Sequence, residues 1–182
     1  MSNFADPSKA VVWLDGDAFR APANTALPAD VFAATLTGWD AFGGIQAGFT
    51  VERTQEIERF TIFNKTGTYA SRKGDEEATI TMRPVDLSKA VALTLLTGGS
   101  ITAVAGGYEW VEGASENFAL IVRVTAGTKK KAYVMRKAEL ANRPTDVLND
   151  EQLYGWDMQI SPLIPDDGSP FIRVITDNNP LA

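Results

Sequence analysis

Residues 77–83, EATITMR, alternate strictly: Ala78, Ile80 and Met82 fall on one side, and Thr79, Thr81 and Arg83 on the other. No other stretch constrains the fold as tightly. A period of two places one face of an extended strand against a core and leaves the other polar, and it does not fit the 3.6-residue period of a helix. Pro84 ends the strand, because proline has no amide to give to a sheet ladder. On the other side, SRKGDEE (71–77) carries charges of both signs. The expectation there is a long charged loop over 64–76, entered from an earlier strand at 45–63 that is rich in β-branched and aromatic residues.

The same kind of pattern recurs downstream. NFALIVRVTAG (117–127) and KAYVMRKAEL (131–140) flank Gly127 and a lysine-rich turn, which predicts an antiparallel hairpin. GGYEWVEG (106–113) reads as a strand or hairpin. YGWDMQISPLI (154–164) and PFIRVIT (170–176) read as strands separated by PDDGS. One helix is expected at about 86–97: Asp86 is placed to cap it, Leu87, Val91 and Leu95 make an apolar face, and Gly98–Gly99 stop it. The fold class that follows is mainly β of α+β character: a two-sheet antiparallel sandwich or open barrel with one flanking helix and an extended N-terminal arm.

The arm is expected over residues 1–37 and the β domain over 38–182. APANTALPAD (21–30) carries Pro22 and Pro28, which favour extended or turn backbone. A two-strand flap around DGD (15–17) and a short helix at 29–38, capped by Asp30 and ended by Gly38, are the local structure that the arm can hold. Of the four tryptophans, Trp110 and Trp156 are expected in the core. Trp13 and Trp39 lie in or beside the arm, where a large apolar side chain needs a surface of the same domain or of a neighbouring subunit.

Chemistry is hard to place on this chain. It has no cysteine and no histidine, which excludes disulfides, thiolate zinc sites, thiol nucleophiles and every histidine-containing triad. There is no Gly-x-Gly, no phosphate loop and no Ser-x-x-Lys. GGSIT (98–102) lacks the second glycine of a nucleophile elbow and any histidine to pair with Ser100. LDGDAF and PDDGSP put acids beside glycine without calcium-loop spacing and read as turns. No catalytic residue, cofactor or metal is therefore expected. Net charge is -6, with -3 over residues 1–50, +1 over 51–150 and -4 over 151–182. That balance argues against tight phosphate binding, and TKKKAY (128–133) reads as a solvated turn. No apolar run approaches the ~18 residues of a membrane span, and MSNFADPSKA is not built like a secretory signal.

Taken in order, VVWLDGDAFRAPANTALPAD, GWDAFGGIQAG (38–48) and EEATITMRP leading into the helix resemble the major tail proteins of long-tailed bacteriophages, the tail tube subunits. The resemblance covers most of the chain. It implies a two-sheet sandwich with one flanking helix, a fold shared with the tube protein of type VI secretion. It also implies rings of six copies whose inner sheets join into a channel, stacking of rings into a tube, and transient, non-specific passage of genomic DNA. The implied partners are further copies of the chain and the tape-measure, tail-tip and tail-terminator proteins, with no membrane. The implied place is the virion tail, assembled in the host bacterial cytoplasm. On that reading the candidate inter-subunit contacts are Trp13, Pro28 and Trp39 in and beside the arm, and Arg72, Lys73, Asp75, Glu76 and Glu77 across the ring-to-ring seam. Other self-assembling β-rich components stay open, such as a tail terminator, a capsid decoration protein or a secretion tube. So does a monomeric β-sandwich binding module.

Overall fold

The run FALIVR (118–123) is buried along its whole length, and the sheet is organised around it. In the computed structural model, which describes residues 9–146 and 148–177, the described residues form ten strands and one helix. In chain order these are β1 (Asp15–Pro22), β2 (Asp40–Ala41), β3 (Ile45–Ile62), β4 (Lys65–Pro84), α1 (Lys89–Leu96), β5 (Ser100–Val104), β6 (Gly107–Val111), β7 (Phe118–Ala126), β8 (Lys129–Leu140), β9 (Met158–Pro162) and β10 (Arg173–Thr176). Eight strands make one antiparallel sheet in the order β2-β1-β7-β8-β9-β4-β3, with β10 also paired to β8; β5 and β6 form a separate two-stranded sheet. The expected class holds: a mainly β, antiparallel sandwich or open barrel with one short helix.

Strand alternation splits β7 between two cores. Phe118, Leu120 and Val122 join Ala18, Met135, Ile80, Met82, Met158 and Ile160 in the first, so the main sheet curls until β1, β7 and β8 oppose β4 and β9. Ala119 and Ile121 point the other way, into a second core with Phe19, Val134, Val31, Leu36 and Trp39. Along its edges β7 is paired with β1 from Asp15↔Thr125 to Pro22↔Phe118 and with β8 from Phe118↔Ala138 to Ala126↔Lys129.

Three expectations change. The charged loop over 64–76 is instead, from Lys65 on, the first twelve residues of β4, paired with β3 down to a two-residue turn at Phe63–Asn64. Charge forbids a strand only where a face must be buried, and here neither face is. The helix begins later than expected, at Lys89, with Ser88 as its cap: the Ser88 hydroxyl accepts from the Val91 amide. Asp86 is drawn away to accept from the Gly44 amide at 2.6 Å. A side chain on Gly43, which has a φ of 83°, would stand 2.8 Å from that carboxylate. The buried helix residues are consequently Ala90, Val91, Thr94 and Leu96, with Leu95 half-buried and Leu87 exposed before the first turn.

The segment expected as an arm is also built differently. Residues 15–22 are β1, an interior strand of the main sheet. Residues 23–37 fold back over the outer side of β1 and β7 and close the second core with Val31 and Leu36. Asp30 caps a turn rather than a helix, its carboxylate accepting from the Phe32 amide at 2.8 Å.

Arg123 locks this cover down. Its guanidinium donates to Asp17 at 2.8 and 2.9 Å and to the carbonyls of Val31 and Ala33 at 3.2 and 2.6 Å, and it lies 4.7 Å over the Phe19 ring. Arg123→Met keeps the stem but strands the buried Val31 carbonyl and the part-buried one of Ala33, and should cost about 2–3 kcal/mol in urea unfolding. Arg173→Met, on the exposed edge strand β10, should cost about 0.5 kcal/mol or less. Equal costs for the two would refute the locking role of Arg123.

Candidate functional site

Beyond the pair Arg53↔Ala78, β3 and β4 run on as a two-stranded ribbon in which every residue from Thr54 to Glu77 is exposed. At 3.3–3.4 Å per residue the ribbon stands roughly 30 Å clear of the core. It is broken by register shifts between Gln55 and Ile57 and between Phe60 and Ile62. Among the described residues β3 pairs only with β4, so its other edge is unpaired there over its length.

All five residues expected at the seam lie on this ribbon. Arg72 stands opposite Glu58, Lys73 opposite Ile57, Glu76 opposite Gln55 and Glu77 opposite Thr54, while Asp75 falls in the register shift. Glu76 also meets Arg53 at 3.5 Å. The other candidates divide. Trp13 is 40% exposed just before β1 and lines an open depression with Gly16, Ala47 and Phe49. Pro28 is half-buried in the cover of the second core. Trp39 is 8% exposed and packs inside that core, so it finds its surface within its own subunit.

Residues not singled out in the sequence are more prominent. Ile57, Phe60, Ile62, Phe63 and Tyr69 expose large apolar side chains on the ribbon, and Phe63 at the turn is fully exposed. The signal was present in RFTIFNKTGTYA (59–70), an aromatic and β-branched run interrupted by Asn-Lys, a sequence able to turn.

A second surface is the outer face of β3, β4 and β9, opposite the first core. Strand pairing sets Thr50 beside Thr81 and Gln159, Glu52 beside Thr79, and Thr54 beside Glu77. This face is made of hydroxyls, an amide and acids. Its one base, Arg83, is engaged by Asp157 at 2.8 Å and by Gln46 at 3.0 Å.

A third is an open groove of about 440 Å³ between Leu87 and the end of the helix, β6 and the segment 143–156, lined by Leu87, Leu95, Trp110, Arg143, Tyr154 and Trp156. Asp146 orders its wall, accepting from the Trp156 indole at 3.1 Å and the Tyr154 hydroxyl at 3.2 Å. The Tyr154 phenol is pushed up, by lost solvation first and by the Asp146 charge next. Trp110, expected in the core, is instead 41% exposed and reaches the groove, because β5 and β6 leave the helix end through a tight crossing: a side chain on Gly99 would clash with the Val111 carbonyl, and one on Gly113 with that of Thr97.

A polar clasp ties the 165–169 turn to β8. Asp166 accepts from Lys137 and Asn24 at 2.6 Å each, and Asp167 pairs with Arg136 and accepts from the Ser169 amide at 3.0 Å. Among the described residues there is no cluster of three or more metal-ligating side chains and no helix long and apolar enough to cross a membrane.

A family model described as phage tail tube protein matches residues 4–182, nearly the whole chain. No curated protein matches it.

The clasp makes acid stability specific. Hydrogen bonds from Ser169, then Arg136, hold the Asp167 carboxyl down at about 2, and Asp166 is lowered by Lys137 and Asn24. A lowered folded-state value stabilises above the unfolded value of about 4, and that stabilisation disappears as pH falls through the folded value. The Asp167 carboxyl carbon should therefore titrate near pH 2 by NMR. The Tm of Asp167→Asn should fall less between pH 4 and 2 than that of the unchanged protein. A titration midpoint near 4 would remove the clasp.

Proposed function

The chain belongs to the phage tail tube protein family, and from that premise we propose that six copies close into a ring, that rings stack into the tail tube, and that genomic DNA passes through its channel into the host. The family makes the protein a structural component of the virion tail that assembles with other tail proteins. The observation that carries the finer reading is the ribbon from Thr54 to Glu77. A two-stranded hairpin is at best marginally stable alone in water, and this one adds exposed Phe60, Phe63 and Tyr69 and an unpaired strand edge. Such an edge invites pairing, and a ring of copies covers it with identical chains while leaving no open end.

The outer face of β3, β4 and β9 is our candidate for the channel wall. Thr50, Thr79, Thr81 and Gln159 supply no anchoring charge, and Glu52 and Glu77 repel phosphates. A wall of that kind lets a polyanion slide without sticking. The remaining partners on this reading are the tape-measure, tail-tip and tail-terminator proteins, assembly takes place in the host bacterial cytoplasm, and the protein performs no catalysis.

Negative-stain electron microscopy of the concentrated protein, with tail tips added as seeds, should show tubes with a central channel. Replacing residues 59–69 by a short Gly-Ser turn should give a folded subunit of nearly unchanged Tm that no longer stacks. Unseeded and seeded samples that both stay as small particles would sink the tube reading. Glu52→Lys with Thr79→Lys should leave tubes intact but make them retain DNA, and phage carrying the pair should eject more slowly. Unchanged ejection from normal tubes would move the channel wall elsewhere.

A further inference from the structure

The ribbon's tip and the aromatic groove lie at opposite ends of the same strand. β4 begins at Lys65, beside the Phe63–Asn64 turn, and ends at Pro84, whose carbonyl accepts from the Trp156 amide at 3.1 Å in the groove wall. Twenty residues of extended chain separate the two ends, or about 60 Å if straight. A subunit therefore cannot place its own tip in its own groove. A copy displaced along the strand direction can. Repeated, that contact is head-to-tail and builds a polar column.

Charge divides the same way. Residues 59–72 carry Arg59, Lys65 and Arg72 and no acid, and none of the three cations has an ion pair among the described residues. Residues 143–157, which border the groove, carry Asp146, Asp150, Glu151 and Asp157 against one base, Arg143, which is paired with Glu112. The tip is an exposed phenylalanine next to a lysine, and the groove exposes Trp110 and Tyr154 over the buried Trp156, beside Glu112, Asp146 and Arg143. An aromatic anchor entering a pocket of its own kind, ringed by opposite charge, is the pattern of an interface hot spot.

We infer that the tip of one copy, Phe63 with Lys65, docks into the groove of Trp110, Tyr154 and Trp156 on the next copy along the tube. The inference rests on the tube reading above and names the receptor for the ribbon. The occupant is a second copy of this chain, and the contact adds an apolar plug to an electrostatic guide. Raised salt should weaken it, because the bordering charges are exposed.

The absence of cysteine gives a direct test. Asn64→Cys and Leu87→Cys place one thiol at the turn and one at the groove rim, both exposed and at opposite ends of the subunit. Tubes of the double variant treated with a short bismaleimide should give a ladder of covalent multimers on denaturing gels, whereas either single variant should give only monomers, or dimers at background level. Phe63→Ser should raise the protein concentration needed for tube growth about tenfold without changing Tm. Normal tubes that yield no ladder, or normal growth of Phe63→Ser, would overturn the docking and leave the tube reading standing. Failure of the unchanged protein to form tubes, seeded or not, would overturn the tube reading and the docking with it.

Discussion

Burial of β7 on both faces is the constraint on which the rest of the molecule depends. Phe118, Leu120 and Val122 require a core on one side, and Ala119 and Ile121 require another on the opposite side. Both edges of the strand are occupied by ladders to β1 and β8. One strand thus makes its neighbours answer two demands at once. β4 and β9 must curl round to close the first core, and residues 23–37 must fold back to close the second. Arg123 appears where this second cover would otherwise leave carbonyls unpaired, taking those of Val31 and Ala33 while Asp17 balances its charge. A rigid body results, with the sheet's long edge strand β3 at one margin.

What extends past that margin follows different physics. Between Thr54 and Glu77 the backbone is satisfied by the β3–β4 ladder itself, so side chains are free of any packing requirement. That freedom explains how a strand can carry Arg72, Lys73, Glu76 and Glu77 together. It also means the ribbon lacks the burial that normally holds a hairpin in place. Its apolar side chains and open edge gain their stabilisation only against something else. On the proposed reading, folding of the body and assembly of the tube are largely separated: the first depends on the two cores, the second on the ribbon, which belongs to neither. On the docking proposed above, the division of charge between the tip and the groove border adds direction, since like ends repel and unlike ends attract.

Much of the body was legible in the chain. The alternation at 78–83 gave the correct buried face, and the 117–140 hairpin formed where its turn chemistry placed it. The helix forms where expected but is entered two residues later, with Ser88 rather than Asp86 as its cap, because Asp86 has a competing partner in Gly44, distant in sequence. The pairing of residues 15–22 depends on distant partners in the same way. Pro22 and Pro28 report local backbone preference, and neither says that DGDAFRAP will be gripped by β7. At the candidate surfaces the charge is visible in the sequence, whereas the exposure of the apolar residues is not. Phe60, Phe63 and Tyr69 look like core residues in a list and become surface residues only once the ribbon is seen to have no core.

The sequence by itself determined which segments alternate, where prolines and glycines interrupt them, and that any chemistry needing cysteine or histidine is closed to the chain. These are properties of residues and their near neighbours, written in the period of the pattern. Only the tertiary structure decided that residues 65–77 are strand, that β1 is an interior strand, that Trp39 is spent inside its own subunit, and that Phe63 and the Trp110–Trp156 groove stand at opposite ends of β4. The reason is that strand pairing is made by backbone groups, which every residue except proline carries alike. Side-chain pattern therefore says which face is buried, but a strand with no buried face leaves no pattern. Its existence is settled by the distant partner that satisfies its amides.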